Sequence, residues 1–423
     1  MAIELRSGYS TISSKELMEK VIPDYCVEKP LNCVFWERGV NDVYQLRCAN
    51  RRYSLRVYRH GIHSRDEVDF EVDALNHLHN NGVAVAYPIA RKSGGYITEI
   101  MASEGIRYVL ITAFAEGSVP DYDSLDAFRL TGKSLAELHN GSDTFETPHK
   151  RDIIDMDLFI NDRFKSIEPH IMHRPDDLAQ LQLYLENACS AVQRVGSDNM
   201  DFGFCHGDVH GGNAHLHEGV LTHFDFEECG FGYRVFDLAT FKWSTVLQDA
   251  APDKWLTFVE GYESVRKIKT ADLELLDTFV VLRHIWLIAF HMRNADDFGG
   301  ELLDDKYIDR QWKRLNYFST EGIGAALETK NENVVVVKVL EGGPAANSGL
   351  IQAEDRIVAV AEGDDGDMVD TPGLPLDEVV NLVRGPIGTT VRLKVLPAGA
   401  TDESATNMVA LVRDAIVPPQ TSS

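Results

Sequence analysis

The chain has 423 residues, 44% apolar and 25% charged, which is enough for two or three soluble domains with cores of their own. Its net charge of −25 argues against a nucleic-acid partner, because phosphate backbones select basic surfaces. No basic start leads into an apolar leader, no apolar run reaches the ~18 residues of a membrane span, and the six cysteines (26, 33, 48, 189, 205 and 229) form no CxxC; the reading is a cytoplasmic protein without membrane association or a disulfide framework.

Taken in chain order, "LNCVFW", "VYQLRC" and "RYSLRVYR" between 31 and 59 read as three strands, joined by the Gly-containing turn "ERGVND" and the tight turn "ANR". Residues 65–80 place Val68, Val72, Leu75 and Leu78 at helical spacing, and Asn81-Gly82 ends that helix. A strand follows Gly82, and "YVLITAF" at 108–114 reads as another. Beyond 120 the periodicity is mostly helical: 124–140, 176–195 and 277–294 all carry it, with a strand-rich interruption at 203–226. At Ser319 the texture changes to short strands and Gly-rich turns.

The stretch "CHGDVHGGNAHLH" at 205–217 admits three readings. His206, His210, His215, His217 and His223 could form a metal cage, although structural zinc sites usually add closely spaced cysteines, and HExxH is absent. "GDVHG" at 207–211 resembles the first signature of calcineurin-like metallophosphatases, without that family's later metal-binding segments. The third reading rests on spacing. Asp208 and Asn213 are five apart, and the hairpin 214–217/220–224 returns Asp225 to the same place. Kinases use such a step to face a base toward the acceptor hydroxyl and an amide oxygen toward Mg²⁺.

"HGDVHGGN" followed by "HFDFEECGFGYRVFDLA" resembles the aminoglycoside phosphotransferase and choline kinase superfamily, including its homoserine kinase, methylthioribose kinase and stress-response kinase branches, over about 25–318. The resemblance implies a bilobal, protein-kinase-like α+β fold with a small β-rich N-lobe (1–115) and a larger helical C-lobe (116–318). It implies Asp208 as the catalytic base, Asn213 and Asp225 as Mg²⁺ ligands, and His206 and Asp237 as structural supports of the catalytic loop. Asp237 could equally be an ordinary helix N-cap. For ATP it implies Gly39 and Asn41 in the covering turn, Arg56 on the α/β-phosphates with Glu71 as its partner, and backbone groups of Ala113 to Ala115 against adenine. Arg56 departs from the more usual Lys, exchanging a point charge for a planar group. Trp286 and Arg293 are candidates for the acceptor pocket, against the alternative of plain core.

"EGIGAALE…GGPAANSGL…DRIVAV…VVNLVRGPIGTTVRLKV" resembles the PDZ domain of carboxyl-terminal processing proteases. That implies a small β-rich domain at 319–414 whose Gly322-Ile323-Gly324-Ala325 loop captures a protein C-terminus, followed by a disordered tail at 415–423. The expected activity is transfer of the γ-phosphoryl group of ATP, with Mg²⁺, to a hydroxyl-bearing acceptor. That acceptor is a small alcohol such as homoserine or an aminoglycoside, or a protein Ser/Thr. A catalytically silent scaffold acting through the PDZ domain is the competing reading.

Overall fold

Strands β1 (Pro30–Arg38), β2 (Asp42–Cys48), β3 (Arg52–Val57), β4 (Ile97–Met101) and β5 (Ile106–Ala113) form one antiparallel sheet in the order β1-β2-β3-β5-β4. The computed structural model describes residues 9–248, 252–295, 303–330, 333–340, 343–363, 365–386, 389–400, 402 and 405–413. The tail expected at 415–423 lies outside the described residues.

Period-2 alternation decides what the sheet shows to each side. In β3, Tyr53, Leu55 and Val57 are buried in a core with Tyr44, Leu46, Val109 and Ile111, which turns Arg56 to the opposite face. Asp42 and Arg107 form a fully buried ion pair at 3.2 Å. Arg107 also donates to the carbonyls of Val57, Tyr58 and Ser10, so its charge is not left unpaired.

Helix α1 (Arg65–Asn80) begins with a capping box: Ser64 Oγ accepts from Glu67 N–H at 3.2 Å, and Glu67 Oε2 accepts from Ser64 N–H at 2.7 Å. Its inner face buries Val68, Val72, Leu75 and Leu78, as the spacing predicts, and Glu71 with them. Phe70 joins Phe145, Phe204, Phe226 and Phe231 in an aromatic cluster, with Phe70 and Phe145 edge-on at 5.5 Å. That cluster seats the helix on the strands that flank the 206–213 loop.

Helix α2 (Leu125–Gly141) is followed along the chain by two small two-stranded sheets: β6 (Phe202–Cys205) pairs with β9 (Gly230–Tyr233), and between them β7 (Ala214–His217) forms a hairpin with β8 (Val220–His223). Helices α3 (Val235–Leu247) and α4 (Pro252–Glu263) complete this part. Helix α2 crosses α4 in direct backbone contact; a Cβ on Gly132 would stand 2.0 Å from the Phe258 carbonyl oxygen, and one on Gly261 2.0 Å from that of Arg129. Everything so far belongs to one contact unit, Met1–Leu158 with Met200–Lys269.

The second unit comprises Phe159–Asn199 and Thr270–Ser423. Its helical part holds Pro175–Val195, the largely buried α5 (Thr270–Arg293) and α6 (Asp305–Ser319). Here Arg163 lies over the Trp286 ring at 3.9 Å, and Arg293 pairs with Asp162. Trp286 and Arg293 are thus engaged within this unit. Its β-rich part is a sheet of β10 (Ala325–Lys330), β11 (Asn333–Val339), β12 (Arg356–Glu362), β13 (Thr390–Leu396) and β14 (Asn407–Val412), in that order, with helix α7 (Leu376–Val383) packed beside it. Among the described residues, no helix is long and apolar enough to cross a membrane.

Candidate active site

The 206–213 loop leaves β6 at Cys205 and is held by a single buried carboxylate. Asp237 accepts from His206 N–H at 2.7 Å, from Gly207 N–H at 2.8 Å and from His139 Nε2–H at 3.1 Å. The hydroxyl of Tyr262 in turn donates to His139 Nδ1 at 2.7 Å. Burial works against the charged form of Asp237, yet the His139 bond and its other donors hold its pKa below the usual carboxylate range. Asp237 sits inside the first turn of α3, whose N-cap is Arg234; its side chain braces the loop and does not cap the helix.

Gly207 has φ +84°, and a Cβ there would meet the Glu228 carbonyl oxygen at 2.0 Å. The loop therefore requires glycine at this point on two independent grounds. His206 is fully buried; its Nδ1 accepts from Asp208 N–H at 3.3 Å and its Nε2–H donates to Phe224 O at 3.1 Å. Those bonds fit a neutral imidazole, and burial lowers its pKa accordingly.

Asn213 donates through Nδ2 to the carbonyl of Asp208 at 3.0 Å and to its Oδ2 at 3.1 Å. Both amide protons are thereby directed at Asp208, which leaves Oδ1 as the group able to meet a cation. Phe224 N–H donates to Asn213 O at 3.0 Å, and this backbone bond sets Asp225 beside Asn213. Asp225 has φ +64°, an uncommon conformation for a non-glycine residue that re-aims its side chain after the β7–β8 hairpin. Burial, with Glu227, Asp208 and Glu71 nearby, pushes its pKa up to about 6 against the opposing pull of Arg56.

Arg56 reaches across from the sheet. Its guanidinium bonds Glu71 Oε1 at 3.1 Å and Asp225 Oδ1 at 2.6 Å. Tyr58 donates its hydroxyl to Glu71 Oε2 at 2.9 Å, fixing the carboxylate from the other side. The structure thus brings Arg56, Glu71 and Asp225 together, and Asp208 with Asn213.

The remaining expected nucleotide contacts are placed differently from one another. Gly39 lies exposed at the β1–β2 turn, where its N–H donates to Asn41 O at 3.1 Å. Asn41 is buried, and its Oδ1 accepts from Arg59 N–H at 2.7 Å, so this side chain braces the exit of β3. In the segment 113–115, Ala113 N–H donates to Tyr87 O at 2.9 Å, and Ala115 O accepts from His215 at 2.7 Å.

Sequence reasoning passed over Glu227, His63 and Arg151, and weighed His210 only as a metal-cage ligand. Glu227 lies 3.4 Å from His63 Nε2; burial disfavours its charge, but His63, Arg56 and Asn41 outweigh that and hold its pKa low. His210 Nε2 stands 3.5 Å from Asp208 Oδ2. The "DFEE" run carried a signal for Glu227, whereas nothing in the spacing marks Arg151. The histidines do not converge as a cage: His206 turns to Phe224 O, His215 to Ala115 O and His223 to Ser134 Oγ. Among the described residues, no three His, Cys, Asp or Glu side chains are placed to hold a metal.

Residues 35–268 match the model of the phosphotransferase enzyme family, APH, a span of more than half the chain that contains every residue of this site. This chain belongs to the phosphotransferase enzyme family. A Deinococcus radiodurans protein is 30% identical over 306 residues, 71% of this chain and 88% of that one. The solved amicoumacin kinase hAmiN, in complex with AMP-PNP, Ca²⁺ and Ami, shares the fold with a TM-score of 0.60 at 18% identity, over 72% of this chain and 93% of that one. The kinase-like α+β architecture expected from the sequence is therefore present in this phosphotransferase, and "GDVHG" lies within the span that matches its family.

Residues 312–396 match the PDZ domain model. The tail-specific protease of Haemophilus influenzae is 32% identical over 98 residues, which is 23% of this chain and 14% of the protease. Within that domain, Ile323 O accepts from Ala345 N–H at 2.7 Å and Gly324 O from Leu340 N–H at 2.8 Å. Gly324 has φ +71°, and a Cβ on it would stand 2.9 Å from the Gly343 Cα.

Proposed function

We propose that this phosphotransferase moves the γ-phosphoryl group of ATP, held with Mg²⁺, to the hydroxyl of a small alcohol. The observation that carries the reading is the pinning of Asn213 by Asp208. One loop thereby presents a carboxylate to an acceptor and an amide oxygen to a cation, with Asp225 alongside. The donors fit Mg²⁺, which takes hard oxygen ligands and is commonly held by one or two carboxylates together with substrate phosphates. When bound, the metal would neutralise charge on the β- and γ-phosphate oxygens.

The chain's own residues supply the rest. Asp208 orients the acceptor hydroxyl and takes its proton. Arg56, seated by Glu71, offers two parallel donors to the α/β-phosphates. Doing so requires Arg56 to exchange its present bond to Asp225 for one to phosphate, which releases that carboxylate for the cation. The N-lobe (1–115) and C-lobe (116–318) divide these tasks in this reading. The likeness to amicoumacin kinase is in line with a small-molecule acceptor. The complete Asp208, Asn213 and Asp225 set weighs against a silent scaffold.

For residues 319–414 the reading is capture of a protein C-terminus. The engaged carbonyls of Ile323 and Gly324 fix the Gly322–Ala325 loop with its amides available to a carboxylate, beside β10 at the edge of its sheet. The apolar residues Ala325, Leu327 and Leu376 beside that loop suit an apolar terminal side chain.

The activity is tested by a screen with γ-labelled ATP over small alcohols and protein substrates together. Label on a small alcohol supports the proposal; label confined to protein, or on no acceptor while ATP is untouched, contradicts it. A pH dependence follows as well. A carboxylate must be deprotonated to bind a cation, so the proton competes below the pKa of Asp225, about 6. Calorimetric titration should show Mg²⁺-dependent nucleotide affinity flat above about pH 7 and falling up to tenfold per unit below about pH 6. A profile flat down to about pH 5 would count against Asp225 as a ligand.

A further inference from the structure

The segment between α2 and Ile154 runs as a strap from the catalytic strands to the helix that carries Glu71. At one end it bridges to β9: Ile154 N–H donates to Phe231 O at 2.7 Å. Two glycines make room for it. A Cβ on Gly232 would meet Ile154 Cβ at 2.6 Å, and one on Gly230 would meet Asp152 O at 2.9 Å. In the middle the strap grips α1: Thr147 Oγ1 donates to Asp73 Oδ2 at 2.6 Å, Lys150 N–H to Asp66 Oδ2 at 2.7 Å, and His149 Nδ1 lies 2.7 Å from Asp66 Oδ1.

Arg151 does something the other strap residues do not. Its Nη2 donates to the carbonyl of Glu227, in the turn that begins with Asp225. Its Nη1 lies 3.5 Å from the carbonyl of Glu67, one helical turn before Glu71, and 3.5 Å from Cys229 Sγ. One guanidinium therefore spans the two elements that carry the partners of Arg56. A helix could settle on that turn in several registers through aromatic packing alone, because apolar contacts are non-directional. Two bonds from one planar group define a single spacing.

We propose that Arg151 is a positioning residue of the phosphotransferase site, fixing the Asp225 turn against the Glu71 helix so that the metal-ligand carboxylate is preset before nucleotide arrives. This rests on the reading of Asp225 as a metal ligand. Thr147, His149 and Lys150 tie the middle of the strap to α1; among the described contacts of residues 147–151, those of Arg151 also reach the Asp225–Cys229 turn.

The test is calorimetric titration of AMP-PNP into the full chain, once with Mg²⁺ and once with EDTA, alongside a thermal melt. Arg151→Ala is expected to weaken Mg²⁺-dependent binding about tenfold, the effect of losing a charge-assisted bond that orders a ligand, while metal-free binding stays within about twofold. Arg151→Lys keeps the charge without the planar geometry and should recover only part of the loss; it also serves should the Ala variant fail to fold. Equal weakening with and without metal would reduce Arg151 to general stabilisation and overturn the proposal. So would unchanged Mg²⁺-dependent binding in both variants. Absence of any Mg²⁺-dependent binding by the unaltered chain would instead remove the metal reading on which the proposal stands.

Discussion

Asp208→Asn is expected to lower turnover about a thousandfold while nucleotide binding stays within about threefold. The substitution is nearly isosteric, and an amide oxygen can still accept the Asn213 Nδ2–H bonds now made at 3.0 and 3.1 Å to the carbonyl and side chain. What it removes is the capacity to take a proton. None of the contacts that seat Arg56 and Glu71 involve Asp208, so the nucleotide side of the cleft is left intact. Single-turnover measurements with γ-labelled ATP and the acceptor returned by the screen, paired with an AMP-PNP titration, check both halves. Turnover within tenfold of the unaltered chain would remove Asp208 from the role of base. A parallel loss of nucleotide binding would show that its role is electrostatic or structural.

Asp237→Ala should have the second largest effect, of a different kind. Three donors converge on this carboxylate at full burial: the N–H groups of His206 and Gly207, and His139 Nε2–H. Removing it leaves all three buried without an acceptor, a change that costs about 3–5 kcal/mol. For a unit of this size that corresponds to a fall in melting midpoint of roughly 10 °C. The loop loses its anchor one residue before Asp208, so turnover should fall further than nucleotide affinity. Asp237→Asn retains one acceptor oxygen and should fall between the two. A melting midpoint unchanged within about 2 °C for Asp237→Ala would mean that the loop holds itself.

Much of this site is legible in the chain because its logic is local. The five-residue step from Asp208 to Asn213, and the hairpin that returns Asp225, lie within one continuous stretch. Helix α1 is equally legible: the Ser64 and Glu67 capping pair, the periodic Val68, Val72, Leu75 and Leu78, and the Gly82 stop are all short-range signals. The pairing of Arg56 with Glu71 came from family resemblance, and the geometry places the two at 3.1 Å.

What escaped reading depends on contacts between distant segments. His139 is buried on α2, and its bond to Asp237 spans 98 residues. Asn41 sits near the covering turn, yet its side-chain Oδ1 is taken by the backbone N–H of Arg59 because β3 ends beside it. Arg151 occupies a stretch without periodicity, and its partners Glu67 and Glu227 lie 84 and 76 residues away. Polar residues in irregular segments carry no pattern that separates a solvated charge from a clamp; only the fold does that.

A structure of this chain with Mg²⁺ and AMP-PNP would show directly whether Asn213 and Asp225 hold the cation. A metal about 2.1 Å from both Asn213 Oδ1 and an Asp225 carboxylate oxygen is expected, with Arg56 turned from Asp225 to phosphate and Asp208 facing the γ-phosphate. Nucleotide bound away from these residues, or a metal touching neither Asn213 nor Asp225, would contradict that assignment.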